Sequence, residues 1–137
     1  MPNILIVDDQ PCIRKLLSEE LIYEGYRVKT AGDGESAMAS LRFSPPDLVL
    51  LDLYLDGPDG WEVLREVKRQ DPHLPVLIVT AHDSFADDPR LSMADGYVVK
   101  STNFRELKQK IANALSGKAC HQGKVEAKGY SPQVSVA

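Results

Sequence analysis

Apolar residues come in short unbroken runs, and these alternate with stretches where they recur every three or four positions. Asn3–Asp8 (NILIVD) is nearly continuous, the pattern of a strand covered on both faces. Pro11 then opens a helical segment whose stripe is Ile13, Leu16, Leu17 and Leu21, and Gly25 stops it. Arg27–Ala31 reads as a second strand. Gly34–Phe43 reads as a helix with Ala37, Met38 and Leu41 inward, ended by Pro45-Pro46. Asp47–Asp52 (DLVLLD) is a third strand, Asp59–Gln70 a helix with Val63, Leu64 and Val67 on one face, and Pro75–Thr80 (PVLIVT) a fourth strand. A helix is expected within Ser84–Met93, where Pro89 interrupts the pattern, followed by a short fifth strand at Gly96–Val99. The last helix is predicted over Asn103–Ser116, with Asn103 and Glu106 as a capping pair and Phe104, Leu107, Ile111 and Leu115 as its buried stripe.

Five strands alternating with five helices predict an α/β fold, a parallel sheet with helices on both faces. Right-handed crossovers favour a flavodoxin-like, doubly wound five-stranded sheet in the order 2-1-3-4-5. After Gly117 the periodicity stops and scattered Gly, Lys, Ser and Pro take over. Residues 118–137 are therefore expected to be a flexible tail, which leaves 1–117 as one domain.

Composition narrows the classes. With 43% hydrophobic and 26% charged residues the chain is ordinary for a globular protein, and a net charge of −4 argues against a surface for nucleic acid or anionic lipid. Cys12 and Cys120 lack metal-type spacing and read as reduced thiols. The opening Met-Pro-Asn runs straight into a strand, with no basic stretch before a long apolar one and no candidate membrane span. The expected location is the cytoplasm.

In an open parallel sheet, ligands bind at the carboxyl ends of the strands. Here those ends are Asp8 and Asp9, Asp52, Thr80 and Lys100. Each alone has an ordinary explanation: Asp forms turns and caps, Thr suits strands, and Lys is commonly a solvated surface charge. Together they do not. Two carboxylates at ~4 Å repel by about 4 kcal/mol at an intermediate dielectric, so three at adjacent strand ends call for a cation. Mg²⁺ (or Mn²⁺) fits an all-oxygen donor set and shares oxygens with phosphate. Asp52, on the central strand, is then the natural nucleophile toward a phosphoryl group, with the metal and Lys100 neutralising charge. Small Ala81, directly after Thr80, leaves room for that group.

These residues resemble the receiver domain of two-component response regulators. The likeness runs from Asn3 to about Gly117 and rests on Asp8-Asp9, on Asp47–Gly60 (DLVLLDLYLDGPDG), on Thr80-Ala81 and on Tyr97-Val-Val-Lys100. It implies that Asp52 is the phosphoacceptor, that Asp9 binds the metal directly and Asp8 mainly through water, and that Tyr54 offers its backbone carbonyl. Lys100 is implied to pair with phosphoryl oxygens and Thr80 to hydrogen-bond them. Thr80 and Tyr97 are the implied switch, the ring filling the space the hydroxyl leaves. The donor would be a phosphohistidine on a histidine kinase or histidine phosphotransfer protein. The domain would catalyse only its own phosphorylation and dephosphorylation.

Four departures from the family pattern stand out. Lys100 is followed by Ser101 instead of proline; cis before serine costs about 2.5–4 kcal/mol, so a trans bond is expected there, or else a strained cis one. The span from Thr80 to Lys100 is shorter than usual and contains Pro89, so the fourth helix should be short or irregular. Asp56 stands where proline is usual. Tyr54 and His82 flank the site and should tune hydrolysis. Too few residues follow the last helix for a helix-turn-helix module. The expectation is a stand-alone regulator, monomeric or weakly dimeric, acting on an unidentified downstream protein. The alternatives are a receiver cut from a longer regulator, an aspartyl-phosphate phosphatase, and a receiver-like module that binds protein without turning over phosphate. Against the phosphatase, Asp8-Asp9 lacks the two-residue spacing such enzymes use. Against the inert module, all five site residues are present.

Overall fold

A computed structural model of the chain describes residues 1–53, 55, 59–80, 88–100 and 104–119. The apolar runs become β1 (Asn3–Val7), β2 (Arg27–Ala31), β3 (Leu48–Leu51), β4 (Val76–Thr80) and β5 (Gly96–Val99). All pair in parallel, in the order β2-β1-β3-β4-β5. Side-chain alternation gives the sheet two apolar faces. Leu5, Val7, Val49, Leu51, Val76 and Ile78 face one cluster, while Ile4, Ile6, Leu48, Leu50, Leu77 and Val79 face the other. A strand apolar on both sides is stable only between two helical layers.

The first layer holds α2 (Gly34–Phe43) and α3 (Gly60–Gln70); the second holds α1 (Pro11–Tyr23) and α4 (Arg105–Ala119). Pro11 occupies the first turn of α1, and Gly25 leaves that helix at a φ of 98°, a left-handed turn that favours glycine. Asp33 and Asp59 cap α2 and α3 by accepting from the backbone N–H of Ser36 and Glu62. Leu17 and Leu21 are buried as the stripe predicts, whereas Leu16 is 43% exposed. α4 buries Leu107 and Ile111, with Phe104 and Leu115 packed at the margin.

The expected fourth helix is, among the described residues, a five-residue 3-10 helix, Pro89–Met93. Pro89 opens it instead of interrupting it, since a missing N–H is harmless in the first turn. Asp88 caps it, and Arg90 lies 4.0 Å from the ring centroid of Trp61 on α3. α4 continues to Ala119, so positions 118 and 119 of the expected tail are helical. Asn103, Ser101 and the peptide bond before it, Asp56, His82 and residues 120–137 lie outside the described residues. No helix among the described residues is long and apolar enough to cross a membrane.

Candidate functional site

The crossovers from β1 and β3 run to opposite faces, which opens a crevice between these strands at their carboxyl ends. β1 delivers Asp8 and Asp9 there, and β3 delivers Asp52. Both strands are pinned: Asp8 N–H donates to Ala31 O at 3.1 Å and Asp52 N–H to Val7 O at 2.9 Å. Asp8 and Asp52 are only 2% and 5% exposed, whereas Asp9 faces solvent.

One carboxylate oxygen from each of Asp8, Asp9 and Asp52 lies within 4.8 Å of the others. Lys100, just past β5, reaches across with its Nζ 2.6 Å from Asp8 Oδ2 and 3.3 Å from Asp52 Oδ2. Its position is set by the sheet: Lys100 N–H donates to Thr80 O at 2.6 Å, which extends the β4–β5 ladder by one step. Burial lowers the pKa of the Lys100 ammonium. The Asp8 hydrogen bond and the charges of Asp52 and Asp8 more than offset this, so it stays above the ordinary lysine value. Lys100 is thus a fixed cation. Three carboxylates against one ammonium still leave two negative charges uncompensated.

The residues suit a divalent cation. Their donors are hard oxygens, the residual charge matches Mg²⁺, and exposed Asp9 leaves the cluster open to entry from solvent. Thr80 is fully buried at the end of β4. It shares its strand face with Ile78, which is paired with Tyr97. Tyr97 is half-buried and packs on the same apolar cluster as Ile78. Tyr54 lies outside the described residues.

Three contributors escape pattern reading. Gln10 donates its backbone N–H to Asp8 Oδ1 at 2.9 Å, a short-range turn that holds the carboxylate. Arg14 Nη1 donates to Asp8 O at 2.7 Å. At Gly60 the start of α3 meets the main chain just past β3 so closely that a Cβ would lie 2.5 Å from both Asp52 O and Leu53 Cα. In sequence Gly60 is only part of the first turn of the expected Asp59–Gln70 helix, with no signal of this close approach.

Comparison with known proteins agrees with this geometry. The family described as response regulator receiver domain matches residues 4–112. The chain is 41% identical over 107 residues to the probable transcriptional regulatory protein TcrX of Mycobacterium tuberculosis, covering 77% of this chain and 46% of that protein. It is 40% identical to the transcriptional regulatory protein AfsQ1 of Streptomyces coelicolor, covering 84% and 52%. The chain therefore spans about half the length of these curated relatives. Among solved structures it resembles the response regulator TrrA of Thermotoga maritima in complex with Mg²⁺ and BeF, with TM-score 0.81, 42% identity, and coverage of 83% of this chain and 99% of that one. TrrA bound to the histidine kinase ThkA gives TM-score 0.79 at 43% identity, covering 84% and 99%.

Proposed function

The chain belongs to the response regulator receiver family, and from that premise we propose that it takes a phosphoryl group onto Asp52 from a phosphohistidine partner. The observation that carries the reading is the convergence of Asp8, Asp9, Asp52 and Lys100 at one strand edge. Asp52 Oδ forms the new P–O bond as the P–N bond to the donor imidazole breaks. Being buried, its carboxylate meets the donor with little competing water. Asp9, Asp8, Asp52 and the backbone carbonyl of Tyr54 would hold Mg²⁺ (or Mn²⁺), which supplies charge neutralisation at the phosphoryl oxygens. Lys100 already lies beside Asp52 and transfers its hydrogen bonds to those oxygens. The Thr80 hydroxyl hydrogen-bonds the modified side chain, and Tyr97, on the same face, follows it inward.

The partner class is a histidine kinase or a histidine phosphotransfer protein, a reading supported by the solved complex of TrrA with its kinase. The output is a change in protein–protein contacts of this domain with a downstream partner, the domain being cytoplasmic and monomeric or weakly dimeric. The domain acts catalytically only on its own aspartyl phosphate.

Incubation with Mg²⁺ and acetyl phosphate, read by intact mass, should give one labile phosphoryl adduct, absent without Mg²⁺ and absent in Asp52→Ala. Beryllofluoride should bind in place of the phosphoryl group where acetyl phosphate is a poor donor. An adduct that persists in Asp52→Ala, or neither adduct nor beryllofluoride binding in the native protein, refutes the proposal.

A further inference from the structure

The stripe that packs α1 on the sheet leaves Arg14 half-buried beside it. Its Nη1 donates to the main-chain carbonyl of Asp8 at 2.7 Å. That carbonyl needs a donor from outside the ladder. Asp8 lies one residue past β1 and its N–H makes the last ladder bond, to Ala31 O; β2 ends there, and among the described residues no further backbone N–H reaches the Asp8 carbonyl. A buried carbonyl without a donor is costly, and a guanidinium is a strong one. The route to it runs over Gly32. A Cβ there would lie 2.9 Å from Arg14 Nη1 and 3.3 Å from its Cζ. The neighbouring Asp33 carboxyl is held below its ordinary pKa, mainly by hydrogen bonds from Ser36 and in small part by the Arg14 charge.

We infer that Arg14, seated in the slot that Gly32 leaves open, is a positioning residue that clamps the main chain at Asp8 and so aims the Asp8 carboxylate into the metal site. The inference rests on the reading of Asp8, Asp9 and Asp52 as Mg²⁺ ligands. Asp8 is then held at its N–H by Ala31, at its carboxylate by Gln10 N–H and Lys100 Nζ, and at its carbonyl by Arg14. Partners that orient a ligand without touching the metal typically change affinity by about 10–100-fold when removed.

Two roles for Arg14 predict opposite signs. As a mere nearby cation it opposes Mg²⁺, and its loss tightens binding. As a clamp on Asp8, its loss weakens binding. Gly32→Ala separates them without altering any charge. The added methyl meets only the far end of a flexible side chain, so the guanidinium is pushed aside while the fold is kept.

The test is calorimetric Mg²⁺ titration of the whole chain at fixed ionic strength, with urea unfolding alongside. Arg14→Ala and Gly32→Ala should each weaken Mg²⁺ binding about tenfold, with Arg14→Lys losing less. Equal or tighter Mg²⁺ binding by both Gly32→Ala and Arg14→Ala, with native-like binding by the unmodified protein, overturns the clamp alone. No Mg²⁺ binding by the unmodified protein overturns the site reading and the clamp with it.

Discussion

Replacing Asp9 with asparagine should make the protein more stable without metal and less responsive to it. In the native protein the Asp9 carboxylate has an oxygen within 4.8 Å of one from Asp8 and one from Asp52. Lys100 contacts Asp8 and Asp52. Two unit charges at that distance repel by roughly 1 kcal/mol at the dielectric of water and about 3.5 kcal/mol at an effective value of 20. Asp9 is exposed, so the lower end applies, and attraction to Lys100 offsets part of it. A net relief of about 1 kcal/mol remains, which for a domain of this size raises Tm by ~4 °C. Magnesium reverses the order. Any ligand bound only by the folded state stabilises it by RT ln(1 + [L]/Kd), about 1.4 kcal/mol at ten times Kd. The native protein should gain that increment and Asp9→Asn little of it. Thermal unfolding in EDTA and in excess Mg²⁺ measures both arms. An Asp9→Asn protein that melts below the native one in EDTA would show that the acidic cluster carries no repulsion. A variant that gains as much from Mg²⁺ as the native protein would show that Asp9 is not a ligand.

Three further outcomes are expected. Gly60→Ala forces a methyl against main-chain atoms at 2.5 Å, so it should destabilise by ~1–3 kcal/mol in urea and slow acetyl phosphate labelling of Asp52 by displacing it. Ile111→Ala empties a fully buried position between α4 and the sheet and should cost about 2–5 kcal/mol while leaving the Mg²⁺ affinity of the folded protein unchanged. Glu66 accepts from Arg69 and Gln70, which holds its pKa at about 2, so its stabilising effect is complete above the ordinary glutamate range and disappears as pH falls toward 2. Carbon-detected NMR titration should show that Arg69→Ala moves this pKa back toward 4.5.

Strand and helix positions followed from local rules. Continuous apolar runs can be buried only between two layers, and Pro11, Gly25, Asp33 and Asp59 mark element boundaries through backbone chemistry that needs no distant partner. The convergence of Asp8, Asp9, Asp52, Thr80 and Lys100 was also legible, because parallel strands deliver all their carboxyl ends to one edge. Pro89 opens a short helix that the sequence pattern shows only as an interruption, because a proline in the first turn of a helix looks, in sequence, like one that breaks it.

The tertiary structure decided how the side chains meet. Sequence marks Lys100 as a cation for an incoming phosphoryl group; the packed sheet shows that it already holds Asp8 and Asp52. Arg14 sits on a helix where apolar periodicity carries the signal, so nothing local announces that its guanidinium crosses to the Asp8 carbonyl over Gly32. Gly60 reads only as the start of a helix until α3 is seen against Asp52. Periodicity and strand ends are properties of neighbours in the chain, whereas these contacts join residues brought together only when the layers close.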